Sequence, residues 1–135
     1  LTIQLSTAVR NARLDAIETT VSTSAIMKIR TGAQPATCAT ADSGTVLATL
    51  NLPSDWMAAA SSGSKAKSGT WEDTSADAAG TAAHFRIYAS DGTTCHMQGS
   101  ITATGGGGDM TVDNTSFAAA QAFTITGFTL TDGNA

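Results

Sequence analysis

Two histidines, two cysteines and a few carboxylates are the residues of this 135-residue chain with the chemistry to hold a metal or move a proton. His84 and His96 sit in two alternating segments that read as a hairpin, and both are expected on its outward face, where a diagonal pair of imidazoles could share a metal. No Cys, Asp or Glu falls beside them there, so the ordinary reading is two exposed or interface histidines. Asp109 and Asp113 could offer oxygens to Ca²⁺, but the ladder of oxygen ligands that an EF-hand needs is missing. Gly105–Gly108 is not followed by Lys-Ser/Thr or by a helix, so it lacks the parts of a phosphate-cradling loop and reads as a strand connection. Ser62-Gly63-Ser64-Lys65 and Ser64-Lys65-Ala66-Lys67 match the serine–lysine nucleophile pattern without its partner motifs. A small hydrolase is therefore a third reading, and no enzyme activity, cofactor or metal is expected. Asn114-Thr115-Ser116 is a glycosylation sequon. The opening residues lack the basic and apolar regions of a signal peptide, so the sequon has no evident route to use. Cys38 and Cys95 carry no framework spacing; both are expected reduced, as small buried hydrophobes, with a Cys38–Cys95 bridge left open.

The elements that would position these residues follow from periodicity. A helix is predicted from Ser6 or Thr7 to Thr20, with Ser6 or Thr7 as N-cap, a narrow stripe of Leu14, Ile17 and Val21, and a smooth face of Ala8, Ala12 and Ala16. Asp15 and Glu18 follow Arg10 and Arg13, the less favourable order for the helix dipole. From Ala25 the period becomes two. A strand is predicted to Arg30, a loop over 32–44, and a second strand over 45–52 with Val46, Ala48, Leu50 and Leu52 on one face. Residues 54–64 read as a helical turn or apolar loop, and 65–72 as a strand with Trp71 inward. Short strands are predicted at 110–112 and, as one piece, over 122–130.

Residues 83–89 and 95–103 alternate most clearly. Parity favours a three-residue loop, Ser90-Asp91-Gly92, pairing Ile87 with Cys95 and Phe85 with Met97 so that all four face the core, with Gly92 in the left-handed conformation. The expected fold class is mostly β: a single-domain β-sandwich or jelly roll (25–135) preceded by a short helix and linker serving as a docking arm (1–24).

Composition narrows function by exclusion. Charged residues make up 13% of the chain, about half the usual ~25%, and the net charge is −4. The seven basic residues are scattered, which argues against nucleic acid, and no apolar run is long enough to span a bilayer. A charge-poor Thr/Ala surface suits protein contact, since little charge must be desolvated. Trp56 and Trp71 are the largest anchors, read as core or as a platform for a sugar ring or partner pocket.

The segments VRNARLDAIETT (9–20), LPSDWMAAASSGSKAKSGTWEDTSADAAGTAAHFRIYASDGTTCHMQG (52–99) and FTITGFTLTDGNA (123–135) resemble small virion proteins of tailed bacteriophages, most closely head cement or decoration proteins. The resemblance lies in texture and block order and carries no individual binding residue. It implies a jelly-roll-like fold, self-association as a dimer or trimer, and clamping of neighbouring major capsid subunits at the capsid surface of a virion assembled in a bacterial cytoplasm. The expected contact surfaces are Leu14, Ile17 and Val21 on the helix and Phe123 and Phe128 on the last strand. The alternative is a receptor- or glycan-binding module of a tail fibre or baseplate, which would be a trimer with an exposed tryptophan.

Overall fold

A computed structural model describes residues 3–134. One helix, α1 (Thr7–Val21), precedes eleven strands: β1 (Ile26–Arg30), β2 (Val46–Asn51), β3 (Ser64–Ala66), β4 (Trp71–Asp73), β5 (Gly80–Thr81), β6 (His84–Tyr88), β7 (Cys95–Ala103), β8 (Met110–Val112), β9 (Ser116–Phe117), β10 (Phe123–Ile125) and β11 (Thr129–Thr131). The protein is mostly strand with one short N-terminal helix. Five strands form the main sheet in the order β2-β1-β6-β7-β8, and three two-stranded ladders, β10-β4, β11-β3 and β5-β9, complete the pairing. Met27, Ile29, Leu50, Phe85, Ile87 and Ile101 of the sheet share one core with Val21, Trp56, Met57, Trp71, Phe117 and Ile125.

The helix begins as expected, with Ser6 Oγ accepting from Val9 N–H. It does not extend from the body as an arm. Leu14 and Val21 are buried, and polar groups fasten the rest of the helix. Asp15 and Glu18 both take Lys65 Nζ, at 2.7 and 2.8 Å. Asn11 accepts from Gly63 N–H, and Arg10 and Arg13 reach Asp132. The unfavourable order of charges along the helix is thus irrelevant, because its acids and bases pair with the β domain and not with each other.

Two expected strands are broken in two. The stretch over 65–72 divides into β3 and β4 around Gly69, where φ is +68°. The stretch over 122–130 divides into β10 and β11, which pair with β4 and β3 respectively. In β2, Leu47 is buried as well as Ala48 and Leu50, because a bulge between Ile29 and Arg30 shifts the β1–β2 register there.

The β6–β7 hairpin keeps its apolar parity by a different device from the one expected. Ala89 N–H donates to Thr94 O, so the loop is Ser90–Thr93, one residue longer than predicted. Asp91 accepts from the backbone N–H of Thr93 and Thr94 and from the Thr94 hydroxyl, which stabilises the longer loop. Tyr88 faces Cys95, but Ile87 faces Met97 and Phe85 faces Gly99. His96 is the extra residue of a bulge. It restores core-facing parity for Met97 and sends Cys95 to the opposite face, correcting both the expected register and the expected inward Cys95. Gly92 adopts the expected positive φ, +69°.

β8 runs parallel to β7, joined by only residues 104–109. Parallel neighbours ordinarily need a connection of about a dozen residues or more. The glycine run makes the short return possible: Gly105 and Gly107 have φ of +86° and +77°, and Gly106 and Gly108 wrap tightly round Thr102. A Cβ on Gly106 would lie 2.6 Å from Thr102 Cβ. Gly106→Ala is therefore expected to cost about 1–3 kcal/mol in urea unfolding. Gly133→Ala, with open space around its Cβ position, should be near neutral; equal stability of the two variants would contradict this account of the turn.

Candidate partner-binding surface

The sheet has two covered faces, and they differ in chemistry. On the face away from the apolar core lie Lys28 and Arg30 of β1, paired in register with Arg86 and His84 of β6, together with Tyr88. The alternating pattern of β6 read as half solvent-exposed, yet all five of its residues are buried. Residues 31–45 fold over this face as a strap. Arg86, 1% exposed, anchors the strap: Nη1 reaches Asp42 Oδ1 and Thr40 O, and Nη2 reaches Thr37 O and Cys38 O. Arg30 Nη2 takes the other Asp42 oxygen at 2.8 Å, and Tyr88 Oη donates to Asp42 Oδ1 at 2.7 Å. Gln98 Nε2 donates to Pro35 O.

These contacts set the ionisation of the cluster. Although burial opposes its charge, Asp42 is held below the usual carboxylate range by donors from Tyr88, Arg86 and Arg30. Burial, then Asp42, pushes the Tyr88 phenol up to about 12. Burial, with the Arg30 and Arg86 charges, lowers His84, so its imidazole stays neutral and donates from Nδ1 to Gly32 O at 2.8 Å. Most polar groups of the cluster are spent on the strap, Lys28 Nζ donating to Gly92 O of the hairpin loop, and the arrangement works as a clamp.

The same economy holds across the chain. Each of its seven basic side chains has an intramolecular partner: Arg10 and Arg13 at Asp132, Lys28 at Gly92 O, Arg30 and Arg86 at Asp42, Lys65 at Asp15 and Glu18, Lys67 at Gly69 O. Burial opposes the charge on Lys65, but its two carboxylates raise its pKa. Among the described residues no group of three His, Cys, Asp or Glu side chains could hold a metal. His84 lies under the strap, while His96, displaced by the bulge, lines a groove beside the helix, so the two imidazoles do not meet. Asp109 accepts from Ser100 N–H and Oγ, which lowers its pKa and holds β8 against β7.

The open hollow between the helix and residues 54–65 is charged, lined by Asp15, Glu18, Asp55 and Lys65, whereas those beside β8 are weakly charged. A cleft of about 620 Å³ runs between the edge strand β8 and the C-terminal segment, walled by Met110 and Thr111 on one side and Gly127, Phe128 and Leu130 on the other. A second hollow of about 270 Å³ shares Met110, Thr111 and Gly127 and continues to Phe123 and Ile125. The structure thus brings the expected contact residues Phe123 and Phe128 to one continuous trench, although Phe123 lies in β10 and Phe128 in the connection to β11. Both are only partly buried. Phe123 stacks at 4.8 Å on Phe117, and Phe128 lies between Trp71 and Phe85 at 5.2 and 5.9 Å. Of the helix residues, Leu14 and Val21 are taken up by the core, and Ile17 remains on a groove with Arg13, Ala16, Thr20 and His96. Met110, Thr111 and Gly127 were not singled out in the sequence, since a three-residue edge strand has too little periodicity to show which face it offers.

No family model, no curated protein and no solved structure matches the chain.

Two outcomes test the clamp. Tyr88 is the only tyrosine, so alkaline titration of tyrosinate absorbance should give a single midpoint near 12 in the folded protein and near 10 once unfolded. A folded pKa above the unfolded one means this stabilising contribution is complete below pH ~10 and is lost as pH rises through the folded value; Tyr88→Phe should remove that part of the alkaline loss. Arg86→Met leaves Asp42 facing a shortened set of donors, and unfolding free energy in urea should fall by about 3–5 kcal/mol.

Proposed function

We propose that this is a structural, non-catalytic binding protein whose partner surface is the trench between β8 and the C-terminal strands. The trench itself carries the reading: it is lined mainly by Met, Phe, Leu, Thr and Gly, with the neutral polar side chains Gln98, Asn114 and Gln121, and Asp109 and Asp113 are its only charged residues. Such a lining can be covered with little charge to desolvate. β8 is an edge strand, so an extended segment of a partner can add to it by main-chain hydrogen bonds while Phe123 and Phe128 offer flanking side-chain contacts.

The resemblance in block order to head cement and decoration proteins makes the proposed partner a phage major capsid protein and the proposed site of action the capsid surface. The groove at Ile17 is a second contact, and copies of the chain associate as a dimer or trimer. Many copies on a shell multiply a modest contact into strong net stabilisation. In this reading the main sheet and the short ladders beside its core are the two layers of an irregular jelly-roll-like sandwich. The alternative, a glycan- or receptor-binding module of a tail fibre, is disfavoured by the tryptophans, since Trp56 and Trp71 are both 0% exposed and offer no stacking platform.

The test is co-sedimentation with capsid shells lacking the protein. A Cβ at Gly127 meets open space, so Gly127→Arg fills the trench without disturbing the core. It should weaken shell binding at least about tenfold, a change of roughly 1.4 kcal/mol, with an unaltered melting temperature. Ile17→Glu should weaken it less. Wild-type occupancy by both variants would overturn the assigned surfaces. Failure of the wild-type chain to bind any shell, together with binding to an isolated tail, would overturn the capsid reading.

A further inference from the structure

The strap and the bulge bring together two residues far apart in sequence that the clamp does not need for its charges. The bulge at His96 turns Cys95 away from the apolar core and sets it opposite Tyr88, on the clamp face. On the same face Arg86 Nη2 holds the backbone of the strap at Cys38 O, 2.8 Å away, and at Thr37 O, 3.2 Å away. One arginine therefore positions the strap residue beside the strand residue. The two thiols are near enough to interact electrostatically, and burial followed by Cys38 raises the Cys95 thiol above its ordinary value. Both cysteines are free and only partly buried, so a small oxidant can reach them.

We propose that Cys38 and Cys95 form a dithiol that closes to an intramolecular disulfide, converting the hydrogen-bonded strap into a covalent one. The oxidant is a disulfide, either a small-molecule one or that of a thiol–disulfide oxidoreductase. One cysteine thiolate attacks it, forming a mixed disulfide and releasing the first thiol. The second cysteine thiolate then attacks the cysteine sulfur of that mixed disulfide, forming the Cys38–Cys95 bond and releasing the second thiol. Two protons and two electrons leave the protein, and the oxidant's S–S bond is reduced to two thiols.

The bond would enclose residues 38–95, a segment that includes β2 to β6. A closed loop of that length removes much of the freedom of the unfolded chain. It would also hold the strap over Arg86 under conditions that titrate Asp42. The inference does not depend on the identity of the partner: it concerns the clamp face, and the trench lies beside the C-terminal strands.

The experiment exposes the reduced, purified full-length chain to oxidised glutathione, once folded and once in urea. The folded protein should lose two hydrogens by intact mass and yield a single linked peptide pair joining Cys38 to Cys95. Its melting temperature should rise by about 10 °C and return on addition of a dithiol reductant. Cys95→Ser should stop at a glutathione adduct on Cys38. Three results would overturn the proposal: glutathione adducts as the stable end product of the folded wild-type chain, disulfide-linked dimers in place of the internal bond, or free thiols in the folded chain when the unfolded chain oxidises. A linked product that melts no higher than the reduced protein would overturn the tying role.

Discussion

A guanidinium on the central strand of a sheet must be neutralised where it stands, and that requirement at Arg86 organises one whole side of this molecule. Arg86 is flanked in register by Lys28 and Gln98 and is nearly inaccessible. Taking such a charge from water costs several kcal/mol unless a counter-ion and further acceptors meet it. Residues 31–45 supply both, with Asp42 as the counter-ion and the carbonyls of Thr37, Cys38 and Thr40 as acceptors. A loop made largely of small residues has little apolar surface with which to hold itself down. The buried cation gives it a defined path, and Arg30, Tyr88, His84 and Gln98 fix the remaining points of that path.

Lys65 applies the same principle to the helix. It is 2% exposed, and its two carboxylates come from adjacent turns of α1. The narrow apolar stripe could not hold so short a helix by itself, since an isolated helix of this length is marginal in water. Leu14 and Val21 supply the apolar contact, while Asn11, Asp15 and Glu18 meet backbone N–H groups of residues 57–63 that would otherwise lack partners. A chain with few charges thus buries three of its cations, Arg30, Lys65 and Arg86, inside its own structure. Few charges are left for its outer surface, a composition suited to contact with another protein.

Where the pattern was dense, the elements could be read directly. The α1 boundaries, β1, β6, β7 and the short β8 all follow from period and capping residues. The misses share one cause. The strands over 65–72 and 122–130 look continuous because their side chains alternate, but each divides to pair with part of the other, and pairing partners leave no mark in local period. The hairpin shows the same limit. Its apolar faces demanded a register that keeps Phe85, Ile87 and Met97 together, and that was legible. Whether the register would be met by a three-residue loop or by a longer loop with a compensating bulge depended on Asp91 bonding to Thr93 and Thr94.

By itself, then, the sequence determined a small, charge-poor, mostly β chain with one capped helix, and it marked Phe123 and Phe128 as apolar groups near a surface. Those properties follow from composition and from the two- and 3.6-residue periods, which act over a few neighbours. Only the tertiary structure decided that Leu14 and Val21 belong to the core, that the two phenylalanines line one trench, and that Cys95 turns to the face covered by the strap. Each of these depends on where a distant segment lands. That is settled by the need to satisfy buried charges and buried backbone groups at Arg86, Lys65 and the strand edges, a constraint that no local window of residues contains.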